Sequence, residues 1–255
     1  MKNKRLRLDG ITGILQLEEK TTLQALAARF DVSTATIRRD IKLLENSGQV
    51  YQGKGGEVLY HKDYPGPPRE AMLSKFINEK IRISEYCSTL IKEQETIIIG
   101  PGVITTLAGR IFSGLDFQFR VITNSLTLSL ELSELENISL FMLGGEIEKQ
   151  YSTIKNFDRD PMDGIKYADK LFMTADGIDA EYGLTYFESS RIPVINGMMG
   201  IAKEIILLAD SSKFGNVCFN YLCGFSKIDR IITDNGINKN IKKAFSHEGI
   251  NLTMV

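Results

Sequence analysis

Thr21–Asp40, TTLQALAARFDVSTATIRRD, is the stretch whose reading decides the fold of the N-terminal part of this chain. Leu23, Leu26, Ala27 and Phe30 recur at i, i+3, i+4 and i+7, the spacing of an apolar stripe on a short helix. Thr21 or Thr22 stands where an N-cap belongs. A tight turn through Asp31 and Val32 follows, and Ser33 is placed to cap a second helix. In that helix Ile37, Ile41 and Leu44 point inward, which leaves Thr34, Thr36, Arg38, Arg39 and Lys42 facing outward. A hydroxyl-bearing first turn followed by two arginines suits a reader of the major groove. Ser33 and the threonines, Thr22 included, fit close to phosphates or bases, and an arginine fork grips guanine O6 and N7.

Upstream, Ile11, Ile14 and Leu15 repeat the helical spacing, so three short helices share one core. Downstream, Gly48–Val58 reads as two strands around a glycine-rich tip, a hairpin wing with Lys54 near the phosphate backbone. The alternative is a small amphipathic bundle with a solvated Arg-Arg face. The order of cap, turn and wing favours the DNA-binding reading.

Half of the six prolines fall between Tyr60 and Arg69, and proline both lacks an N–H and disfavours helix before it. Residues 59–74 are therefore expected to be an extended linker between a winged helix-turn-helix domain, 1–58, and a larger domain, 75–255. Residues 1–58 carry ten Lys/Arg against seven Asp/Glu, while the remainder carries 21 against 25. A basic module on an acidic body fits a nucleic-acid reader joined to something else.

Beyond the linker, residues 75–93 read as a helix. Short apolar runs then recur at 96–100, 120–124, 140–145, 171–176, 205–210 and 231–234, each ending in Gly, Asn, Asp or Ser. Continuous apolar runs mark strands covered on both faces. Helical segments lie between them at 104–112, 125–135, 193–203 and 238–246. The fold class expected is a doubly wound, mostly parallel α/β sheet, whose ligands bind outside the carboxyl ends of the strands.

Several residues gather at those ends. Gly102, Thr105 and Thr106 follow the first strand at a helix N-terminus, a place that favours phosphate. Thr123, Asn124 and Ser125 end the second strand, and Gly144 and Gly145 end the third. Asp176 and Asp179 are candidates for ligand hydroxyls; Lys213 either takes a phosphate or pairs with Asp210. Each has a capping or turn role as its alternative, and their convergence on one edge is what favours a site.

The chain is 255 residues long, 43% hydrophobic and 25% charged, with a net charge of −1. No run nears the roughly 18 apolar residues that span a bilayer, and the basic N-terminus leads into no signal core, so a cytoplasmic protein with no membrane partner is expected. Cys87, Cys218 and Cys223, with only His61 and His247, argue for reduced thiols and no metal or other cofactor.

Thr36-Ile37-Arg38-Arg39-Asp40, then Leu44-Glu45 and Gly55-Gly56, resemble the signature of the DeoR family of bacterial regulators. Thr123-Asn124-Ser125, Leu143-Gly144-Gly145, Gly177-Ile178-Asp179 with Gly183-Leu184, Leu208–Phe214 and Ile232-Thr233-Asp234 continue that likeness in order. The resemblance implies a C-terminal domain similar in fold to ribose-5-phosphate isomerase, a phosphorylated sugar or related metabolite as effector, and a homo-oligomer. It also implies double-stranded operator DNA as partner and control of a carbohydrate operon, most often as a repressor. Departures fall mainly in the pocket. Relatives place an acid at Gly100, Gly-Thr-Thr at Gly102-Val103-Ile104, glycine at Asn156 and lysine at Ile195, with Arg191 nearby. In the wing they favour arginine at Gln52 and histidine at Lys54. An altered or vestigial sensor is therefore a second reading. A sugar-phosphate isomerase is a third: Asp176 or Asp179 would serve as base, but the lysine partner is missing at Ile195, so no enzyme is expected.

Overall fold

The computed structural model describes residues 4–18, 20–46, 50–52, 57–60, 75–148, 153–155, 162–250 and 252–255. Lys54 and the wing tip, the segment 61–74 and Asn156 lie outside the described residues.

The N-terminal part runs α1 (Lys4–Glu18), β1 (Lys20–Thr22), α2 (Leu23–Phe30), α3 (Thr34–Asn46), β2 (Val50–Gln52) and β3 (Glu57–Tyr60). Ile11 and Leu15 of α1, Leu26 of α2, Ile37 and Ile41 of α3 and Val58 of β3 are fully buried in one cluster. The three apolar stripes thus meet as their spacing requires. Strands β2 and β3 pair antiparallel, Val50 opposite Tyr60 and Gln52 opposite Val58. The sequence pattern did not reveal β1, which pairs with the other side of β3, Lys20 opposite Leu59. It makes the wing a three-stranded sheet in the order β1-β3-β2.

The second part opens with α4 (Ile77–Ser88), shorter than the helix expected over 75–93. Then follow β4 (Thr96–Ile99), α5 (Val103–Phe112), β5 (Phe119–Thr123), α6 (Leu126–Leu132), β6 (Ile138–Met142), β7 (Glu146–Glu148), β8 (Thr153–Lys155) and β9 (Ala168–Met173). The chain continues with β10 (Gly177–Asp179), β11 (Gly183–Tyr186), α7 (Ile192–Ile201), β12 (Ala202–Leu208), β13 (Asn220–Cys223), β14 (Arg230–Thr233), α8 (Lys239–His247) and β15 (Leu252–Met254).

Seven strands form one sheet in the order β15-β14-β12-β9-β4-β5-β6, every neighbouring pair parallel. All six expected runs are in it, and β15 is the one not anticipated. The sheet is doubly wound: β4, β5 and β6 step outward one way, then the chain returns to lay β9 on the other side of β4. The reversal falls between β4 and β9, and there ligands of such sheets sit, beyond the carboxyl ends.

Continuous apolar strands need cover on both faces, and they have it. Ile97, Ile99, Val121, Phe172, Ile206 and Leu208 face Ile83, Ala108, Phe112 and Leu128 of α4, α5 and α6. Ile98, Leu171, Met173, Ile205, Leu207 and Ile231 face Val194 and Met198 of α7, Phe245 of α8 and Tyr186 of β11. Two smaller sheets escaped the sequence reading: a β7–β8 hairpin and a three-stranded β10-β11-β13 sheet. Three residues separate the end of β9 from the start of β10, so the small sheet starts from the carboxyl edge of the large one.

Candidate nucleic-acid interface and effector site

The helix-turn-helix is built by local capping. Thr22 Oγ1 accepts from the Ala25 amide at 3.1 Å and opens α2. Asp31 closes it in the left-handed region at φ 51°, with the Asp31 and Val32 amides reaching the carbonyls of Ala28 and Ala27. Ser33 Oγ accepts from the Thr36 amide at 3.2 Å and lies 3.0 Å from Thr36 Oγ1. That leaves Thr36 half-buried with its hydroxyl engaged, while Thr22, Ser33, Thr34, Arg38, Arg39 and Lys42 are exposed. Arg38 and Arg39 make no ion pair or side-chain hydrogen bond among the described residues, so both guanidinium groups face solvent.

Between these arginines and the core lies a residue the sequence reading passed over. Asp40 is 2% exposed and accepts from Arg7 Nε at 2.6 Å and Arg7 Nη2 at 3.3 Å. The bidentate pair ties α3 to α1, and the Asp40 hydrogen bond raises the Arg7 pKa against the opposing effect of burial. An acid three residues after Ile37, on the inner side of an amphipathic helix, was the available signal. Glu45 Oε1 adds a second brace, accepting from the Gln52 amide at 3.0 Å and holding β2 against α3.

In the larger part, parallel strands bring their carboxyl ends to one edge. Across it the order is Gly144 and Gly145 after β6, Thr123–Ser125 at β5, Gly100–Gly102 after β4, Thr174–Asp176 after β9 and Asp210–Lys213 after β12. At about 4.8 Å per strand, these span on the order of 19 Å. The switch point therefore gathers Gly102, Thr105, Thr106 and Asp176, with Asn124 and Lys213 as flanks.

The side chains have local partners. Thr105 and Thr106 are buried and donate their hydroxyls to the Gly102 carbonyl, at 3.0 and 2.7 Å. The first-turn amides of α5 have no intrahelical acceptor, as at any helix start. Gly102 is required by its neighbour as much as by any ligand: a Cβ there would lie 2.5 Å from Thr174 Oγ1. Thr123 donates to the Ile99 carbonyl at 2.7 Å, and Ser125 caps α6 by accepting from Leu128 N at 3.3 Å. Asn124 donates to the Ile154 carbonyl at 2.8 Å, but its buried Oδ1 has no hydrogen-bond partner among the described residues. Gly144 and Gly145 are exposed.

Asp176 is buried and accepts from the Phe187 amide at 3.1 Å. Asp179 turns the β10–β11 hairpin, accepting from Glu181 and Tyr182 amides at 3.0 and 3.2 Å. It sits three residues farther from the edge than Asp176. Lys213 is half-exposed, and Asp210 pairs instead with Lys80 Nζ of α4, 3.9 Å away, and with Ser212. Lys80 is 5% exposed; burial pulls its pKa down, Asp210 opposes that, and Lys213 adds repulsion. Lys80 lies 130 positions from its carboxylate, and the sequence held no cue to it. Ile195, where the resemblance expected a lysine, is 2% exposed in the apolar core beside Val194 and Met198. Tyr186 is buried and donates to the Thr174 carbonyl, bracing the loop after β9.

Residues 7–63 match the family model described as DeoR-like helix-turn-helix domain, and residues 75–235 match the one described as DeoR C terminal sensor domain. The lactose phosphotransferase system repressor of Lactococcus lactis is 32% identical over 96% of both chains. The HTH-type transcriptional regulator GolR of Listeria innocua is 29% identical over 96% of both. The HTH-type transcriptional repressor GlcR of Bacillus subtilis is 27% identical over 96% of this chain and 94% of that one. Among solved structures, ribose 5-phosphate isomerase A from Neisseria gonorrhoeae overlaps 54% of this chain and 53% of its own, with 12% identity and a TM-score of 0.41. Two matched models covering most of the sequence, and relatives aligned along nearly its whole length, show that this chain belongs to the DeoR family of transcriptional regulators.

Proposed function

We propose that this protein is a cytoplasmic repressor of a carbohydrate operon, binding double-stranded operator DNA as a homo-oligomer through residues 1–58 and responding to a phosphorylated sugar or related metabolite through residues 75–255. The observation that carries the DNA half is the outer face of α3: Arg38, Arg39 and Lys42 stand exposed on a helix whose opposite side is locked into the core. The relatives named as repressors, one of a lactose phosphotransferase system, support the carbohydrate setting. A single module with few base contacts binds weakly, which favours a symmetric dimer on a repeated half-site. The sensor half rests on the carboxyl edge at the β4–β9 switch point, where the first turn of α5, Asp176 and Lys213 offer amides, a carboxylate and an ammonium. Asn124 Oδ1, buried and without a hydrogen-bond partner among the described residues, adds an acceptor for a ligand hydroxyl. In this reading the chain is a binding protein and not an isomerase, because the position of the expected lysine electrophile is held by Ile195, an apolar core residue.

The second reading, an altered sensor, is favoured by that same buried Ile195 and by the threonine hydroxyls of α5 donating to Gly102. Titration of the full chain on its selected operator, with a panel of sugar phosphates, tests both. Release of DNA by one of them supports the sensor. Calorimetry showing no binding of any member, with operator affinity intact, replaces it with the altered-pocket reading.

A further inference from the structure

One exposed side chain on α3 belongs to none of the groups described so far. With about 100° of rotation per residue, setting Ala35 at 0° puts Arg39 at about 40°, Lys42 at about −20°, Arg38 at about −60° and Thr34 at about −100°. The core residues Leu44, Ile37 and Ile41 fall at about 180°, 200° and 240°. Ala35 is therefore at the centre of the outward face, flanked by both arginines, and it is exposed. On that helix it is the one exposed apolar side chain among the described residues. The hydroxyl of Thr36, the neighbouring candidate reader, is engaged with Ser33.

Resting on the DNA-binding reading above, we propose that Ala35 is a specificity-determining residue: its methyl group packs on the C5-methyl of a thymine, next to the guanine gripped by Arg38 or Arg39. The centre of the outward face comes nearest the floor of the groove, where a long side chain would hold the helix away. A methyl group has no hydrogen bond to offer, so its complement among base edges is the thymine methyl. Residues three or four apart on a helix have Cβ atoms about 5–6 Å apart, which places the thymine within about two base steps of the guanine.

The test uses the full chain. A half-site is selected from a random duplex pool, and each thymine in it is then replaced singly by deoxyuridine, which removes only the C5-methyl. One thymine position, within two steps of a guanine, is expected to lose affinity about fourfold per half-site, the equivalent of burying one methyl group. In A35G that thymine-to-uracil difference should vanish. Because the ratio is taken within each variant, any helix weakening by glycine cancels. A selected site indifferent to uracil at every position overturns the assignment, as does a methyl preference that survives in A35G. Either result leaves the regulator reading standing. A pool that yields no preferred sequence at all refutes the DNA-binding reading itself.

Discussion

Replacing Asp40 by alanine removes the bidentate acceptor that ties α1 to α3. Asp40's side chain is 3% exposed and Arg7's 13%, so the perturbation leaves a mostly buried guanidinium without its main carboxylate. Breaking one side of such a pair costs about 3–5 kcal/mol. Arg7 retains some solvent contact, which places the expected cost at the low end, about 3 kcal/mol, or on the order of 150-fold in the opening equilibrium. Because the chain has a second large core, a single unfolding midpoint would blend the two parts. Amide hydrogen exchange on the full chain resolves them. Peptides from α1 and α3 should exchange about a hundredfold faster in D40A, while β4 and β9 exchange as in the wild type. The double variant R7A/D40A should cost less than the sum of the single ones, since each removes the same bond. Wild-type protection of α1 and α3 in D40A would refute the claim that this pair fixes the recognition helix.

Arg38→Ala and Arg39→Ala each remove an exposed side chain from α3. Whichever reads a base should lose about 1–3 kcal/mol of operator binding per half-site by fluorescence anisotropy, with stability changed by no more than about 0.5 kcal/mol. Gly102→Ala drives a Cβ to within 2.5 Å of Thr174 Oγ1 and 2.9 Å of its Cγ2, so a loss of about 1–3 kcal/mol is expected by denaturant titration. Adding Thr174→Ala should recover part of it. Burial pushes the Cys87 thiol up to about 12 and the Cys223 thiol up to about 11 from an ordinary value near 9. Thiols that stay protonated when folded contribute stability that is complete below about pH 9 and declines as pH rises toward their folded values. The stability gap between wild type and C87A should therefore shrink by about 2 kcal/mol from pH 8 to pH 10.5; a gap independent of pH contradicts the burial of that thiol.

Residues whose environment is local could be read from the sequence, and residues whose partner is distant could not. Ile97-Ile98-Ile99 and Ile205–Leu208 announce buried parallel strands because both faces must be apolar, and the structure buries all of them. Thr22 and Ser33 announce helix starts because the cap bond spans three residues. Strand β1 is Lys20-Thr21-Thr22, polar throughout, and exists through its pairing with β3 some 37 positions later. Strands β10, β11 and β15 are three or four residues long, too short for any periodicity to show. The carboxyl-edge cluster was legible because every run ended in Gly, Asn, Asp or Ser, and parallel order collects those ends. What each side chain does there was not: Thr105 and Thr106 bond back to Gly102, Asp179 shapes a hairpin, and Asp210 is engaged by Lys80 from a helix 130 positions earlier.

Operator recognition by this protein rests on entry of the exposed cationic face of α3 into a DNA duplex. Its most direct measurement is operator affinity of the full chain between 50 and 200 mM salt, for wild type and for R38A/R39A. About six phosphate contacts predict a fall on the order of 10³-fold for the wild type, and the double variant should bind weakly and without preference for the selected sequence. Affinity indifferent to salt, or sequence preference intact without both arginines, would contradict it.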